Sequence, residues 1–268
     1  MLVILEDDEC SLSRDAAGVV AHAVRMHPHV ALGLPSGSTP IGMYRELVRL
    51  HREEALDFSQ VVTFNLDEYL GLSPDHPQSY HAYMARHLFD HVNIRPHNAH
   101  IPDGSIRDAY DEYCDEYERG IREAGGIDLQ IVGIGKEGHI GFNESSSSLH
   151  SRTRLVPLAV QTREDNRHFF GPNEAVPDCA ITMGLGTILE ARNILLLASG
   201  AHKAQAVAAA VEGPVTSSVT ASVLQFHPHV TVLVDREAAG KLRRIDDYRR
   251  ALDMTRKMNP RRLWGLRS

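Results

Sequence analysis

Short apolar runs and longer segments of helical period alternate along this chain, and that alternation most limits its fold. The apolar runs fall at 2–5, 30–34, 61–66, 128–132, 179–182, 193–198 and 230–234. Helical periodicity marks 13–26, 40–54, 78–89, 106–123 and 202–211. Strands that are apolar throughout must be covered on both faces, and helices in the crossovers supply that cover. The expectation is an α/β fold: a Rossmann-like, mostly parallel sheet with helices on both faces. A length of 268 residues suits one such domain, and no linker, repeat or compositional shift divides it. The Ala-rich helix at 202–211 should stop at Gly213-Pro214.

Composition narrows the partners. Hydrophobic residues are 43% and charged residues 24%, which is globular and not disordered. A net charge of -7 argues against nucleic acid held on a general basic surface, although a local basic pocket for a phosphate remains open. No apolar stretch approaches the roughly 20 residues of a membrane span. The chain starts Met1 and soon meets Glu6, Asp7, Asp8 and Glu9, the opposite of a signal peptide's basic opening. A cytoplasmic protein with no membrane partner is expected. Cys10, Cys114 and Cys179 are widely spaced, odd in number and without a Cys-x-x-Cys pair, so neither a disulfide framework nor a zinc site is indicated. The pairs His27/His29, His97/His100 and His227/His229 lie beside prolines or in loops, without carboxylates at ligand spacing. They read as surface histidines, and no metal is expected. The tail from 241 to 268 is basic and helix-prone, with Trp264 near its end. It suits packing or assembly, and a homo-oligomer is left open.

Chemistry concentrates where strands end. Residues Gly133-Ile134-Gly135-Lys136-Glu137-Gly138-His139-Ile140-Gly141-Phe142-Asn143-Glu144 follow the apolar run ending at Val132. A turn built of glycine and acid/base residues packs poorly, but the sheet behind it can aim Glu137, His139 and Glu144 at a substrate. The same glycines would also serve an ordinary tight bend. Gly133, Gly135 and Gly138 formally fit the dinucleotide fingerprint G-x-G-x-x-G. However, Phe142 to Ser148 is a poor helix start, and no acid occurs at 153–160, where a ribose-binding carboxylate should stand.

Gly33-Leu34-Pro35-Ser36-Gly37-Ser38-Thr39-Pro40 follows another strand and opens a helix. Backbone N–H groups and the helix dipole at such a junction favour an anion, typically phosphate. Ser38 or Thr39 suits the helix cap and Pro40 its first position. There is no terminal Lys-Ser/Thr, so this is not a P-loop. Lys203 falls in the first turn of the Ala-rich helix after Ser199-Gly200, where a cation opposes the dipole unless an anion shares the site. A third strand end carries Asn65-Leu66-Asp67-Glu68-Tyr69, where either carboxylate is a candidate general base or a solvated pair.

Taken in order, these pieces resemble the glucosamine-6-phosphate deaminase (isomerase) family. The likeness runs from about residue 30 to 235 and includes Ser151-Arg152-Thr153-Arg154 and Leu224-Gln225-Phe226-His227-Pro228. The related 6-phosphogluconolactonases share a Gly-His turn but lack the Phe-Asn-Glu continuation and the Asn-x-Asp-Glu-Tyr segment. The resemblance implies opening of an amino-sugar phosphate ring, isomerisation to the ketose and loss of ammonia, with no metal or other cofactor. It implies His139 as the ring-opening acid/base, Glu144 beside it orienting the imidazole, Glu137 assisting, and Asp67 moving the proton between C2 and C1. Ser36, Gly37, Ser38, Thr39 and Lys203 would hold the phosphate. The stretch 157–178, with Gly171-Pro172, carries little sign of regular structure and suits either a lid over the site or a plain surface excursion.

Three positions depart from the family pattern. Glu137 stands where many members carry Asp. His168 stands at the position of a phosphate-gripping lid arginine, which leaves Arg167 to reach in or phosphate binding to weaken. Ser145 replaces the usual proline. Val156 and Pro157 also occupy positions where activated members carry a Lys and a Thr at an effector site, of which Arg154 and Ser147 remain. Glucosamine 6-phosphate is the leading substrate. A stereoisomer such as galactosamine 6-phosphate, or a non-catalytic sugar-phosphate-binding protein, is the alternative.

Overall fold

A computed structural model describes residues 1–172 and 174–258. In chain order the elements are β1 (Leu2–Glu6), α1 (Glu9–Met26), β2 (Ala31–Leu34), α2 (Ile41–Glu54), β3 (Val62–Asn65), β4 (Asp67–Tyr69), α3 (Tyr80–His87), β5 (Ala99–His100) and α4 (Tyr110–Glu123). There follow β6 (Leu129–Gly133), β7 (Arg154–Pro157), α5 (Val160–Asn166), β8 (Cys179–Thr182), α6 (Leu185–Leu189), β9 (Asn193–Ala198), α7 (Ala204–Glu212), β10 (Val230–Asp235) and α8 (Ile245–Met258).

Seven strands form one parallel sheet in the order β1-β10-β9-β6-β2-β3-β5. All six residues of β9 and all six of β10 are buried, as the apolar runs require of central strands covered on both faces. One core layer holds α1 and α2 against β2, with Leu12, Tyr44, Leu47 and Phe58 buried there. The other holds α4, α6 and α7 against Val132, Leu196 and Val232. No helix among the described residues is long and apolar enough to cross a membrane.

The topology reverses between β2 and β6. After β2 the chain moves outward through β3 and β5; β6 then pairs with the other side of β2, and β9, β10 and β1 extend that half. Loops leaving the carboxyl ends of β2 and β6 therefore diverge and leave a crevice, the place where open α/β sheets bind ligands. The buried Gln130 side chain fills the space beside Gly33: a Cβ there would lie 2.2 Å from its amide oxygen, so a larger residue must displace that side chain.

Several expectations need correction. The run 61–66 holds β3 as expected, but after it the chain kinks out of the parallel sheet and Asp67–Tyr69 becomes β4 of a second, antiparallel sheet ordered β4-β8-β7. The strand at 179–182 is correctly bounded but belongs to that second sheet, which periodicity could not reveal. The short β5 and β7 had no apolar alternation to announce them. Helix α2 begins at Ile41 with Pro40 as its cap residue, and neither Ser38 nor Thr39 makes a side-chain cap bond. His227 is no surface residue: it is buried, with Nε2 2.8 Å from the Ala191 carbonyl. In the tail, α8 packs on β1 and buries Leu252, while Trp264 lies outside the described residues.

Candidate active site

Asp67 opens β4 beneath the crevice and is only 5% exposed. Burial, then the neighbouring Glu68 charge, pushes its carboxyl up to about 7, against a weaker downward pull from the Ser36 hydroxyl. That hydroxyl, on the loop after β2, lies 3.5 Å from Asp67 Oδ1. Oδ2 faces Gly141, where a Cβ would lie 3.1 Å away. Gly141 has a φ of 55°, so the loop after β6 meets Asp67 through a residue that needs glycine twice over, for its backbone and for its space. A carboxyl of this kind can hold or release a proton near neutral pH.

Of the two adjacent carboxylates, Glu68 is structural. It is fully buried and accepts hydrogen bonds from the backbone N–H groups of Tyr69, Tyr80 and His81, with His81 Nδ1 at 3.0 Å. It ties the start of α3 to β4 and has no lone pair left for a substrate.

The loop after β6 folds back on itself. Gly135 N donates to the His139 carbonyl at 2.8 Å, and Gly138 N to the Gly135 carbonyl at 3.0 Å. The imidazole lies flat over Gly135, whose absent Cβ would sit 2.2 Å from Nε2. Burial lowers the His139 pKa, Lys203 adds to this, and Glu144 and Glu137 oppose it, so the neutral ring is favoured at pH 7. Gly135→Ala must push the ring out of place. Misplacement by about 1 Å can cost about 10²-fold in rate, so we expect kcat/KM to fall about that much while the melting temperature changes little. Steady-state kinetics beside a melting curve checks this.

What holds the loop is Asn143, which is fully buried. Its amide donates to the Ile140 and Met183 carbonyls at 3.0 and 2.8 Å, and its Oδ1 accepts from Arg154 at 2.9 Å. Thr220 Oγ1 bonds its carbonyl, and Thr182 Oγ1 accepts from the next-door Phe142 N–H. Sequence reading had no signal for Thr182 or Thr220. For Asn143, its place between Phe142 and Glu144 was the only hint.

Glu144 does not bond His139. Its carboxylate instead accepts from Ala159 N at 2.9 Å and from Thr162 Oγ1, both in the stretch 157–178. The expected direct orienting contact is absent, and its influence on the imidazole is through charge. That stretch, expected to lack regular structure, contains α5. It docks Phe170 against Tyr69 with ring centres 5.7 Å apart, beside Phe142 and Tyr80. Arg167 does not reach the site: its guanidinium donates to the carbonyls of Phe170, Gly171 and Pro172. His168 is exposed and packs on Phe169, ring centres 3.9 Å apart.

The loops after β2 and β9 line one cleft, through Ser38 and Thr39 on one side and Ser199, Gly200 and His202 on the other. Gly37 sits at the tip with φ 96°, and the Tyr83 hydroxyl donates to its carbonyl at 2.6 Å. Asp235, at the end of β10, accepts from Ser199 Oγ, Gly200 N and Ala238 N and so fixes the loop that carries Lys203. Lys203 stands just before α7 in a short 3-10 turn, half-buried; burial and then Lys136 lower its pKa. Among the described residues no three His, Cys, Asp or Glu side chains are grouped to hold a metal ion.

Asp67, Ser36 and the glycine loop that bears His139 thus meet from separate strands, and the cleft of Ser38 and Thr39 opens at neighbouring strand ends. The family model described as glucosamine-6-phosphate isomerases/6-phosphogluconolactonase matches residues 9–233. The chain belongs to this family. Within it, the glucosamine-6-phosphate deaminase of Arthrobacter sp. (strain FB24) is 53% identical over 238 residues, 89% of this chain and 91% of that one. That of Thermoanaerobacter pseudethanolicus is 49% identical over 240 residues, 90% of this chain and 94% of that one. A solved monomeric glucosamine-6-phosphate deaminase superposes with a TM-score of 0.87 at 45% identity, covering 90% of this chain and all of that one. The 6-phosphogluconolactonase from Trypanosoma cruzi, at 21% identity and a TM-score of 0.70, shares the fold alone.

Proposed function

We infer that this protein is an enzyme that isomerises and deaminates glucosamine 6-phosphate, giving fructose 6-phosphate and ammonia. The observation that carries the reading is a buried carboxyl with its pKa near 7, on the crevice floor, opposite an imidazole-bearing glycine loop. Relatives near 50% identity that bear this activity support it.

In the proposed course, the neutral His139 ring, helped by Glu137, transfers the proton that opens the pyranose. Glu144 steadies the positive form of the ring by charge. Asp67 then takes the C2 proton and returns it at C1 through an enolamine; water adds to the resulting C2 imine, and ammonia leaves as the ketone forms. The backbone and hydroxyls of Ser36, Gly37, Ser38 and Thr39, with the Lys203 ammonium, bind the phosphate and so position the reacting carbons. We propose that 157–178 acts as a lid, since Glu144 is already clasped by its residues. No metal enters this scheme, and a cytoplasmic setting fits such a substrate.

The test is ammonia release across a panel of hexosamine 6-phosphates, without added metal. Turnover of glucosamine 6-phosphate is the expected result. Turnover of the C4 epimer alone would reassign the substrate, and binding of sugar phosphate without turnover would make the protein a sensor.

Regulation follows from the same reading. At the effector position suggested by the resemblance, Arg154 does lie against Ser147, 3.2 Å apart, but Val156 is buried in an apolar cluster and Pro157 offers no donor. An effector phosphate that lacks a charge-assisted donor loses roughly one to two decades of affinity. We therefore expect hyperbolic kinetics that N-acetylglucosamine 6-phosphate leaves unchanged. A sigmoidal rate curve made hyperbolic by that compound would refute this.

A further inference from the structure

Neither Arg167 nor His168 brings a cation to the phosphate side of the crevice, yet a second cation is there. Lys136 lies on the same turn as Glu137 and His139, directly after Gly135. Its Nζ is 2.9 Å from Oδ1 of Asp165, on α5. Lys203 feels both partners, the Lys136 ammonium and the Asp165 carboxylate, and His202 feels both lysines. His202 lines the cleft that Ser38 and Thr39 share, which brings the charge of both lysines to bear on that cleft. Two strand-end loops and the helix α5 thus bring two ammonium groups and one carboxylate together.

We propose that Lys136 and Lys203 form a two-armed grip for the substrate's phosphate, which Asp165 occupies as an internal counterion until the phosphate displaces it. The inference rests on the reading that this site holds a sugar phosphate. One carboxylate neutralises only one of the two cations, whereas a phosphate dianion matches both. Lys136 is 54% exposed, and an ion pair so open to water is weak and readily exchanged. The bonds that replace it, from ammonium to phosphate oxygen, are of the strong charge-assisted kind. The cleft is also lined by Asp7, Asp8, Glu9, Asp235 and Glu237, charges that repel a phosphate and leave the two lysines as its points of attachment. Lys136 also offers a remedy for the missing lid arginine: the cation comes from the loop beneath the lid instead of from the lid.

The lid follows from the exchange. While Asp165 holds Lys136, α5 is pinned over the catalytic loop. When phosphate takes the lysine, that tie is released, and the Glu144 clasp on Ala159 and Thr162 is left to hold the segment.

Inorganic phosphate, titrated calorimetrically into the whole protein, tests the grip without requiring turnover. Lys136→Met should weaken phosphate binding by about 10- to 100-fold, the worth of one charge-assisted contact. It should raise KM for glucosamine 6-phosphate by a similar factor, with a much smaller fall in kcat, and Lys136→Arg should restore most of the affinity. Asp165→Asn should tighten phosphate severalfold, because the competitor is gone. Phosphate affinity of Lys136→Met within twofold of the parent overturns the proposal, as does weaker binding by Asp165→Asn, which would make that residue a support for Lys136. Parent protein that binds phosphate in this pattern but turns over no hexosamine phosphate would defeat the proposed reaction and leave the grip standing.

Discussion

Asp67→Asn should abolish exchange of the C2 proton with solvent while making the folded protein more stable at pH 8. An amide keeps the shape of the carboxyl but cannot accept the proton, and a positioned acid/base group contributes about 10²- to 10⁴-fold to rate. The stability gain follows from where the proton sits. The folded protein holds it to about pH 7, whereas the unfolded chain releases it near the ordinary value of 3.8. Below that value both states are protonated and burial of the neutral acid costs no ionisation. As pH rises from about 4 to 7, unfolding releases a proton, so stability falls by up to about 1.4 kcal/mol per pH unit, a few kcal/mol in all. The Asn variant has no such slope. Urea denaturation at pH 5 and pH 8 should show its advantage widening with pH, and exchange in the parent should rise with pH and level off above about 7. An Asn variant that still exchanges at a near-parental rate would remove Asp67 as the base. A stability difference that does not change with pH would mean the carboxyl is not held neutral.

The largest loss of stability is expected at Glu118 on α4, a residue that contacts no part of the crevice. It is 3% exposed and accepts from Thr153 N at 2.8 Å, Thr153 Oγ1 at 2.6 Å and Thr187 Oγ1, and it pairs with Arg152. Burial raises its pKa, but these hydrogen bonds and the arginine outweigh that and leave it below the usual carboxylate range. Glu118→Ala leaves the buried donors of Thr153 and Thr187 without an acceptor, at about 1–3 kcal/mol each and about 3–5 kcal/mol together, while Arg152 keeps Glu190. For a domain of this size that lowers Tm by about 6–20 °C. Glu118→Gln, which keeps an acceptor, should cost less. A Tm change under about 2 °C for the Ala variant would show that the network carries no weight. Because Arg154 follows directly and bonds Asn143, loosening this segment should also reach the catalytic loop.

How much of this could be read from the sequence depends on the range of the force concerned. The parallel strands were legible because burial on both faces demands apolar runs, and β9 coincides with its expected bounds. The roles of Asp67 and Glu68 were not separable, since their difference lies in which one receives the amides of α3, twelve or more residues on. The departure of β4 from the main sheet was hidden for the same reason: its partner β8 is more than a hundred residues away. The site strands announced themselves through glycines, and the structure explains them as close approaches, Gly135 under an imidazole and Gly141 against a carboxylate. Whether Arg167 reaches in could not be read from the sequence, because side-chain reach says nothing of the carbonyls of Phe170, Gly171 and Pro172 that claim the guanidinium first. Lys136 passed unnoticed between stronger signals, as its partner Asp165 sits on a helix that periodicity did not reveal.

The strand order also sets a timetable for the newborn chain. Strands β2, β3 and β5 can pair soon after they emerge, but β1 has only β10 as a neighbour, from Leu2 with Thr231 to Glu6 with Asp235. At about 5–20 residues per second on the ribosome, that partner arrives roughly 12–46 s after β1. Until then an apolar edge waits uncovered, and Asp235 is not yet there to fix the loop bearing Lys203. The half that bears Ser36 and Asp67 can settle early, but a nascent chain cut short before β10 carries them without the Asp235 bonds that fix the loop of Lys203.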